Sequence, residues 1–302
     1  MSDRAARDPS TGKPEVLQIP IRGQRRNSVF RVFRRHWLAV VGAVVLLALC
    51  LVALFANFVA PYDPNGISMD ILAPPAADHL LGTDDVGRDM LSRLIFAARI
   101  SLTVGVVSSI LTVIIGVVIG SIAGYYGGQV DAILSSGINI MLSIPMFPLA
   151  LVLGSFLETN LTFIVLIIGL LSWLGVARII RAEFISLKER EFVQAARVSG
   201  VPTGRLIFRH ILPNTLGLII VAATLQVANG ILLESSLSYL GYGIQPPTAS
   251  WGNMLQNAQR YLRTAPEVAF YPGALISLTV ISINFVGDGL RDALDPKLRG
   301  LE

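Results

Sequence analysis

The stretch EREFVQAARVSGVPTGRLIFRHILPN, residues 189–214, lies between long apolar runs and differs from both of them. It carries charges of both signs, two prolines and two glycines. From about Ser186 to Arg197 the residues are good helix formers with no breaker between them. Ser199-Gly200-Val201-Pro202 ends that helix: glycine suits the left-handed position after a helix, and proline cannot continue it. Thr203 is placed to cap a second short helix reaching about His210. Pro213 is placed to open the apolar run that follows. The stretch is therefore predicted to be helix, turn, helix, held outside a bilayer that the flanking runs cross.

Composition agrees with a membrane setting. Of the 302 residues 53% are hydrophobic and 15% charged, with a mean hydropathy of +0.65. A soluble domain carries roughly 25% charged residues. Apolar stretches near the ~20 residues that a spanning helix needs occur at about 37–60, 100–125, 132–157, 160–178, 214–240 and 269–287. The first is read as a retained helix. Its basic leader and apolar run are too long for a signal peptide, and Pro61 follows Ala60 where cleavage would fall.

The placement of lysine and arginine gives an orientation. With the N-terminus inside, the inner segments hold 19 of the 24 basic residues, and the outer ones only Arg88, Arg93, Arg99, Arg260 and Arg263. Both termini and residues 189–214 are then expected in the cytoplasm. The organisation read from this is a tail over 1–36, a first span over 37–60 and an outer loop over 61–99. A core follows over 100–290 with an inner loop at 182–213 and an outer loop at 241–268, and then a tail over 291–302. The 61–99 loop reads as irregular chain followed, from about Asp85, by an amphipathic helix.

Within the second span Gly116, Gly120 and Gly124 recur every four residues and share one face, which lets another helix approach closely. Static packing fits this better than a mobile contact. Glu234 ends an uncharged run and lies about 30 Å along its helix from Asn214, near the outer surface. It reads either as the outer end of a polar pathway with Gln226 and Asn229, or as an interfacial carboxylate that reaches headgroups or bonds Ser235 and Ser236.

Chemistry is absent from the pattern. His36, His79 and His210 are far apart, and His79 with Asp84 and Asp85 reads as exposed loop rather than as a cation site. No G-x-x-x-x-G-K-[ST] phosphate loop occurs, so energised work would need another subunit. No metal site is expected on this chain. The single cysteine, Cys50, excludes an internal disulfide. No basic polar domain suggests nucleic-acid binding.

On the first helix of the inner loop, Phe192, Ala196 and Gly200 are four apart. A ring beside two tiny residues is a shape that seats in a groove of another protein, with Glu189, Arg190, Glu191, Arg197, Arg205 and Arg209 as a charged rim. A helix resting on the membrane surface is the competing reading.

QAARVSGVPTGRLIFRHILPN resembles the loop shared by membrane subunits of bacterial ABC importers: E-A-A, three residues, G, nine residues, I, one residue, L-P. Ala195, Ala196, Gly200, Leu212 and Pro213 match, while Gln194 replaces the glutamate and His210 stands where isoleucine is expected. HLLGTDDVGRDMLSRLIFAARISLTVG (79–105) and GDGLRDALDPKLRG (287–300) are similar to two further stretches of the peptide-importer branch. SWLGVARIIRAEFISLKEREF resembles most the C subunits of oligopeptide permeases, then their dipeptide homologues.

The resemblance implies an all-α membrane protein of six spans, one N-terminal helix before a five-helix type I importer core, in a bacterial inner membrane. It implies inward translocation of oligopeptides. Glu191, Phe192, Gln194, Ala195, Ala196, Gly200, His210, Leu212 and Pro213 would couple the chain to an ATPase. The implied partners are a homologous second permease, two cytoplasmic ATPase subunits that bind ATP and magnesium, an extracytoplasmic peptide-binding protein, peptide and membrane lipid. Related importers for dipeptides, glutathione or nickel are the alternative. A self-contained secondary transporter would show more charges or broken helices at mid-depth, and a membrane-anchored enzyme would need a cluster of acid, base or nucleophile.

Overall fold

The computed structural model describes residues 31–156 and 160–294, which are helices and connecting loops with one isolated bridge between Thr83 and Asp89. The expected tails over 1–36 and 291–302 lie largely outside the described residues, as does the 287–300 stretch from residue 295. Helix α1 is Trp37–Leu54 and a short α2 is Ala56–Val59. The segment 60–89 is loop, and α3 then runs over Met90–Tyr126. Next come α4, Gly128–Ser143, α5, Met146–Phe156, and α6, Leu161–Lys188. The polar insert holds α7, Glu191–Val198, and α8, Thr203–Arg205. A π-helical turn, Leu206–Ile211, leads into α9, Leu212–Tyr239. After α10, Trp251–Ala258, and a 3-10 turn comes α11, Glu267–Leu294.

Five helices are long and apolar enough to cross a membrane, and the α4–α5 pair makes up to six. The expected continuous span over 132–157 is corrected here, because α4 and α5 meet at a 77° bend. Pro145 is the cause. A residue before proline is driven out of the helical region, and Ile144 is extended with φ −87° and ψ 123°.

The expected amphipathic helix from Asp85 is also corrected. Asp89 caps α3 directly, accepting the Ser92 N–H at 2.8 Å, and the helix continues through the second span. Its first turns are buried rather than amphipathic, with Met90, Ser92, Arg93 and Leu94 all enclosed. Most of the charges there are paired, while Asp85 Oδ1 and Arg93 Nη2 are buried without a hydrogen-bond partner. Asp84 holds Arg88 at 2.7 Å and Arg93 at 3.2 Å, and Asp89 meets His79 Nδ1 at 2.9 Å. Burial, and then the neighbouring Asp84, push the Asp85 carboxyl above the usual carboxylate range.

Helix α3 is the central post, packed along α6 and crossed by α9; α9 in turn meets α11, and α11 meets α1. Glycine makes the α3–α6 approach possible. A Cβ on Gly120 would lie 2.5 Å from the Ala177 carbonyl oxygen, and one on Gly124 would lie 2.6 Å from Phe184 Cβ. Gly116 likewise faces Val176. The outward faces of α1 and α4 stay apolar and uncovered, as at Val44, Leu47, Ile133 and Ile140, which suits lipid or another membrane subunit.

Candidate functional site

The insert is mounted on a buried base. Val193 of α7 is fully enclosed and packs with Phe184 and Leu187 of α6 and with Leu206 and Ile211 of the π turn. Burying one such side chain contributes about 1.5–3 kcal/mol, so α7 is held against the long helices rather than hanging from a loop. The structure corrects the unbroken helix expected over Ser186–Arg197, since α6 ends at Lys188 and α7 begins at Glu191. Gln194 clasps that break. Its Nε2 donates to the Lys188 carbonyl at 3.0 Å and to Glu189 Oε2 at 3.3 Å. A glutamate there, as in the general loop, has no hydrogen to donate when ionised.

The far end of α7 matches the turn read from the sequence. Gly200 has φ +77°, its N–H bonds to the Arg197 carbonyl at 3.0 Å, and the Val201 N–H reaches the Ala196 carbonyl at 3.2 Å. The second helix differs from expectation. Thr203 lies inside α8, whose cap is Pro202, and makes no capping bond. Pro213 stands in the first turn of α9, as expected, but that helix does not begin afresh. The chain passes from α8 through the π turn into α9 without a stop. Proline inside a helix removes an amide and crowds the carbonyl four residues earlier, and the widened turn over Leu206–Ile211 takes up that misfit.

The exposed surface of α7 is rotated from the one predicted. Phe192 and Ala195 face outward, but Ala196 is half-buried against the Val193 cluster. Val193 decides this, because burying it turns position 196 inward with it. Two residues not singled out in the sequence are the most open apolar groups of the insert: Val198 is 89% exposed and Phe208 71% exposed. A helical wheel of α7 alone could not show them, since the sides covered by α6 and the π turn are tertiary facts. Gly200 is open, with nothing within 4 Å of the Cβ it lacks. Glu191 is exposed in the first turn of α7, and Arg197 lies over the Tyr125 ring at 6.0 Å. His210 is half-buried and its carbonyl accepts from Asn214 Nδ2, while Leu212 leans on the same base and Pro213 is exposed.

Of the three pathway candidates on α9, Gln226, Asn229 and Glu234, two are brought together. Asn229 Nδ2 donates to Gln226 Oε1 at 3.0 Å, and Gln226 Nε2 donates to the Ser172 carbonyl of α6 at 3.2 Å. Glu234 stands apart from this pair. It is fully enclosed and bonded to Ser101, Ser235 and Ser238, not to Ser236, which caps the Leu232 carbonyl. A second polar link, not read from the sequence, joins Asp131 of α4 to Arg181 of α6, with Nη2 to Oδ2 at 2.6 Å. Arg178 Nη2 donates to Asn139 Oδ1 at 2.8 Å beside it. Among the described residues no group of three histidine, cysteine, aspartate or glutamate side chains is arranged to hold a metal ion.

Residues 116–300 match the family described as binding-protein-dependent transport system inner membrane component, and residues 26–75 match the N-terminal TM domain of oligopeptide transport permease C. The chain is 42% identical to the oligopeptide transport system permease protein OppC of Escherichia coli K12, over 89% of this chain and 90% of that one. It is 41% identical to the OppC protein of Bacillus subtilis, over 88% of each chain. The dipeptide transport system permease protein DppC of Alkalihalophilus pseudofirmus is 38% identical, over 97% of this chain and 96% of its own length.

Proposed function

Because the chain belongs to the family of binding-protein-dependent transport system inner membrane components, we propose that it is the permease subunit of an ATP-driven importer that carries oligopeptides inward. Its relatives named for oligopeptide and dipeptide transport, similar over nearly their whole length, support a peptide cargo. The basic residues favour an orientation with both termini and residues 189–214 in the cytoplasm, in a bacterial inner membrane.

The observation that carries the mechanical part is the mounting of α7. A lever that transmits force needs a stiff joint to the membrane helices and an open face toward its partner. Val193 supplies the joint, through the cluster shared with α6 and the π turn. Phe192, Ala195, Val198, Gly200 and Phe208 supply the open face. Two ATPase subunits, which bind ATP and magnesium, would seat this face in a groove; their closure would push on α6 and α9 through the shared base. A homologous second permease would cover the lipid-side surfaces that α4 leaves open, and an extracytoplasmic binding protein would deliver peptide to the opposite end. The linked Gln226 and Asn229 would line the path, since an uncharged polar pair can pass peptide groups without holding them. This chain contributes the path and the lever, and the ATPase chemistry belongs to other chains.

Reconstitution tests the reading. The chain with a second permease, two ATPases and the binding protein is expected to take up labelled oligopeptide into liposomes only with ATP. Uptake by this chain alone, driven by an ion gradient, would overturn it in favour of a self-contained transporter.

A further inference from the structure

Three pieces of chain meet at one enclosed carboxyl group. Glu234 Oε1 accepts from Ser238 Oγ at 2.7 Å, while Oε2 accepts from Ser101 Oγ of α3 at 3.2 Å and Ser235 Oγ at 3.5 Å. Two of these hydroxyls also accept. Ser101 Oγ takes the Trp251 N–H at 3.2 Å, and Ser238 Oγ takes the Ile244 N–H at 3.0 Å. A hydroxyl that accepts an amide still has its own hydrogen to place, and the Glu234 oxygens receive it. The carboxyl thus organises two relays, each running from α9 to a backbone amide of the segment 241–258.

The fit around it is close. A Cβ on Gly243 would land on Ser238 Oγ, and one on Gly252 would lie 2.6 Å from Ser235 Cα. Asn253 closes the segment on itself, donating to the Ile244 carbonyl at 3.0 Å and the Thr248 carbonyl at 2.7 Å. Among the described residues no lysine, arginine or histidine forms an ion pair with Glu234. A carboxyl group buried without a cation is costly unless hydrogen bonds satisfy it, and apolar packing alone would serve a purely static contact between two helices. The acid's distinguishing property here is that it takes hydrogens from two helices at once.

We propose that Glu234 is a positioning residue that fastens segment 241–258 to α3 and α9 through Ser101 and Ser238, so that the three move as one body during transport. Only the last clause rests on the permease reading above. The group lies away from the Gln226–Asn229 pair and acts on the path through the segment it holds.

The test uses the assembled importer and measures amide hydrogen exchange beside peptide uptake per ATP. In Glu234→Gln an NH2 group faces a hydroxyl hydrogen, and the Ile244 and Trp251 amides are expected to exchange roughly ten- to hundredfold faster. Residues 176–187 of α6 keep wild-type exchange, and uptake per ATP falls severalfold. Ser101→Ala should release Trp251 alone, and Ser238→Ala should release Ile244 alone, a split that general destabilisation would not produce. Unchanged exchange at both amides in Glu234→Gln, or acceleration spreading equally through 176–187, overturns the fastening role. Faster exchange with unchanged uptake per ATP overturns the one-body clause. A wild-type complex without uptake would count against the permease reading instead, while the exchange comparison still decides the fastening.

Discussion

Replacing Gly200 separates two reasons for a glycine at that position, namely backbone geometry and room for a partner. Its φ of +77° lies in the left-handed region, which costs an ordinary L-residue about 1–2 kcal/mol. Alanine should therefore weaken the turn by about 1 kcal/mol, a roughly fivefold fall in its folded-to-unfolded ratio. Asparagine tolerates that region and should cost less. Neither meets an obstacle inside the chain, because nothing lies within 4 Å of the missing Cβ. The buried Val193 keeps α7 docked in both variants, since its burial exceeds the strain. Peptide uptake and ATP hydrolysis would be measured in proteoliposomes holding the whole complex. If the ATPase surface closes over Gly200, then Gly200→Ala, Gly200→Asn and Gly200→Asp all assemble with the second permease, yet transport far less peptide per ATP. Wild-type transport by Gly200→Asn, with a mild loss in Gly200→Ala, would refute the contact and leave only the turn.

Three further outcomes follow from the packing and the charges. Gly120→Ile should lower the melting temperature in detergent, by about 1–3 kcal/mol of overpacking, because the new Cβ would lie 2.5 Å from the Ala177 carbonyl oxygen; an unchanged melting temperature would show that α3 and α6 separate freely. Gln194→Glu removes the donor to Lys188 and sets a second carboxylate beside Glu189. Proteolysis at 189–191 should then accelerate most at low salt, and cleavage that is unchanged or slower would contradict the clasp. Asp85→Asn should raise stability at pH 7. The folded pKa of Asp85 is raised above 3.8, so the folded state binds the proton more tightly and ionisation removes stability as pH rises above that value. The gain should shrink as pH falls toward 4, and a gain that grew in acid would reverse the sign of the argument.

What the sequence by itself determined are the properties that follow from short spacings. Apolar runs long enough for a bilayer located the spans, Ser199-Gly200-Val201-Pro202 located the turn, and the four-residue glycine spacing marked the close face of α3. The E-A-A type loop and its flanks pointed to the family that the comparisons then established. Each of these depends on neighbours within a helical turn or two, so local steric rules suffice. The tertiary structure decided the rest. The break at Ile144–Pro145 turned one expected span into a bent pair. The exposed side of α7 depended on Val193 facing the base shared with α6 and turning Ala196 inward with it, which the wheel of one helix cannot say. Glu234 read along its own helix either as the end of a polar pathway or as a carboxylate near the surface, and only the return of residues 241–258 over Ser101 and Ser238 enclosed it. Burial is set by chain that comes from far away in sequence, and that is why the role of a buried polar group was the part least visible in the residues around it.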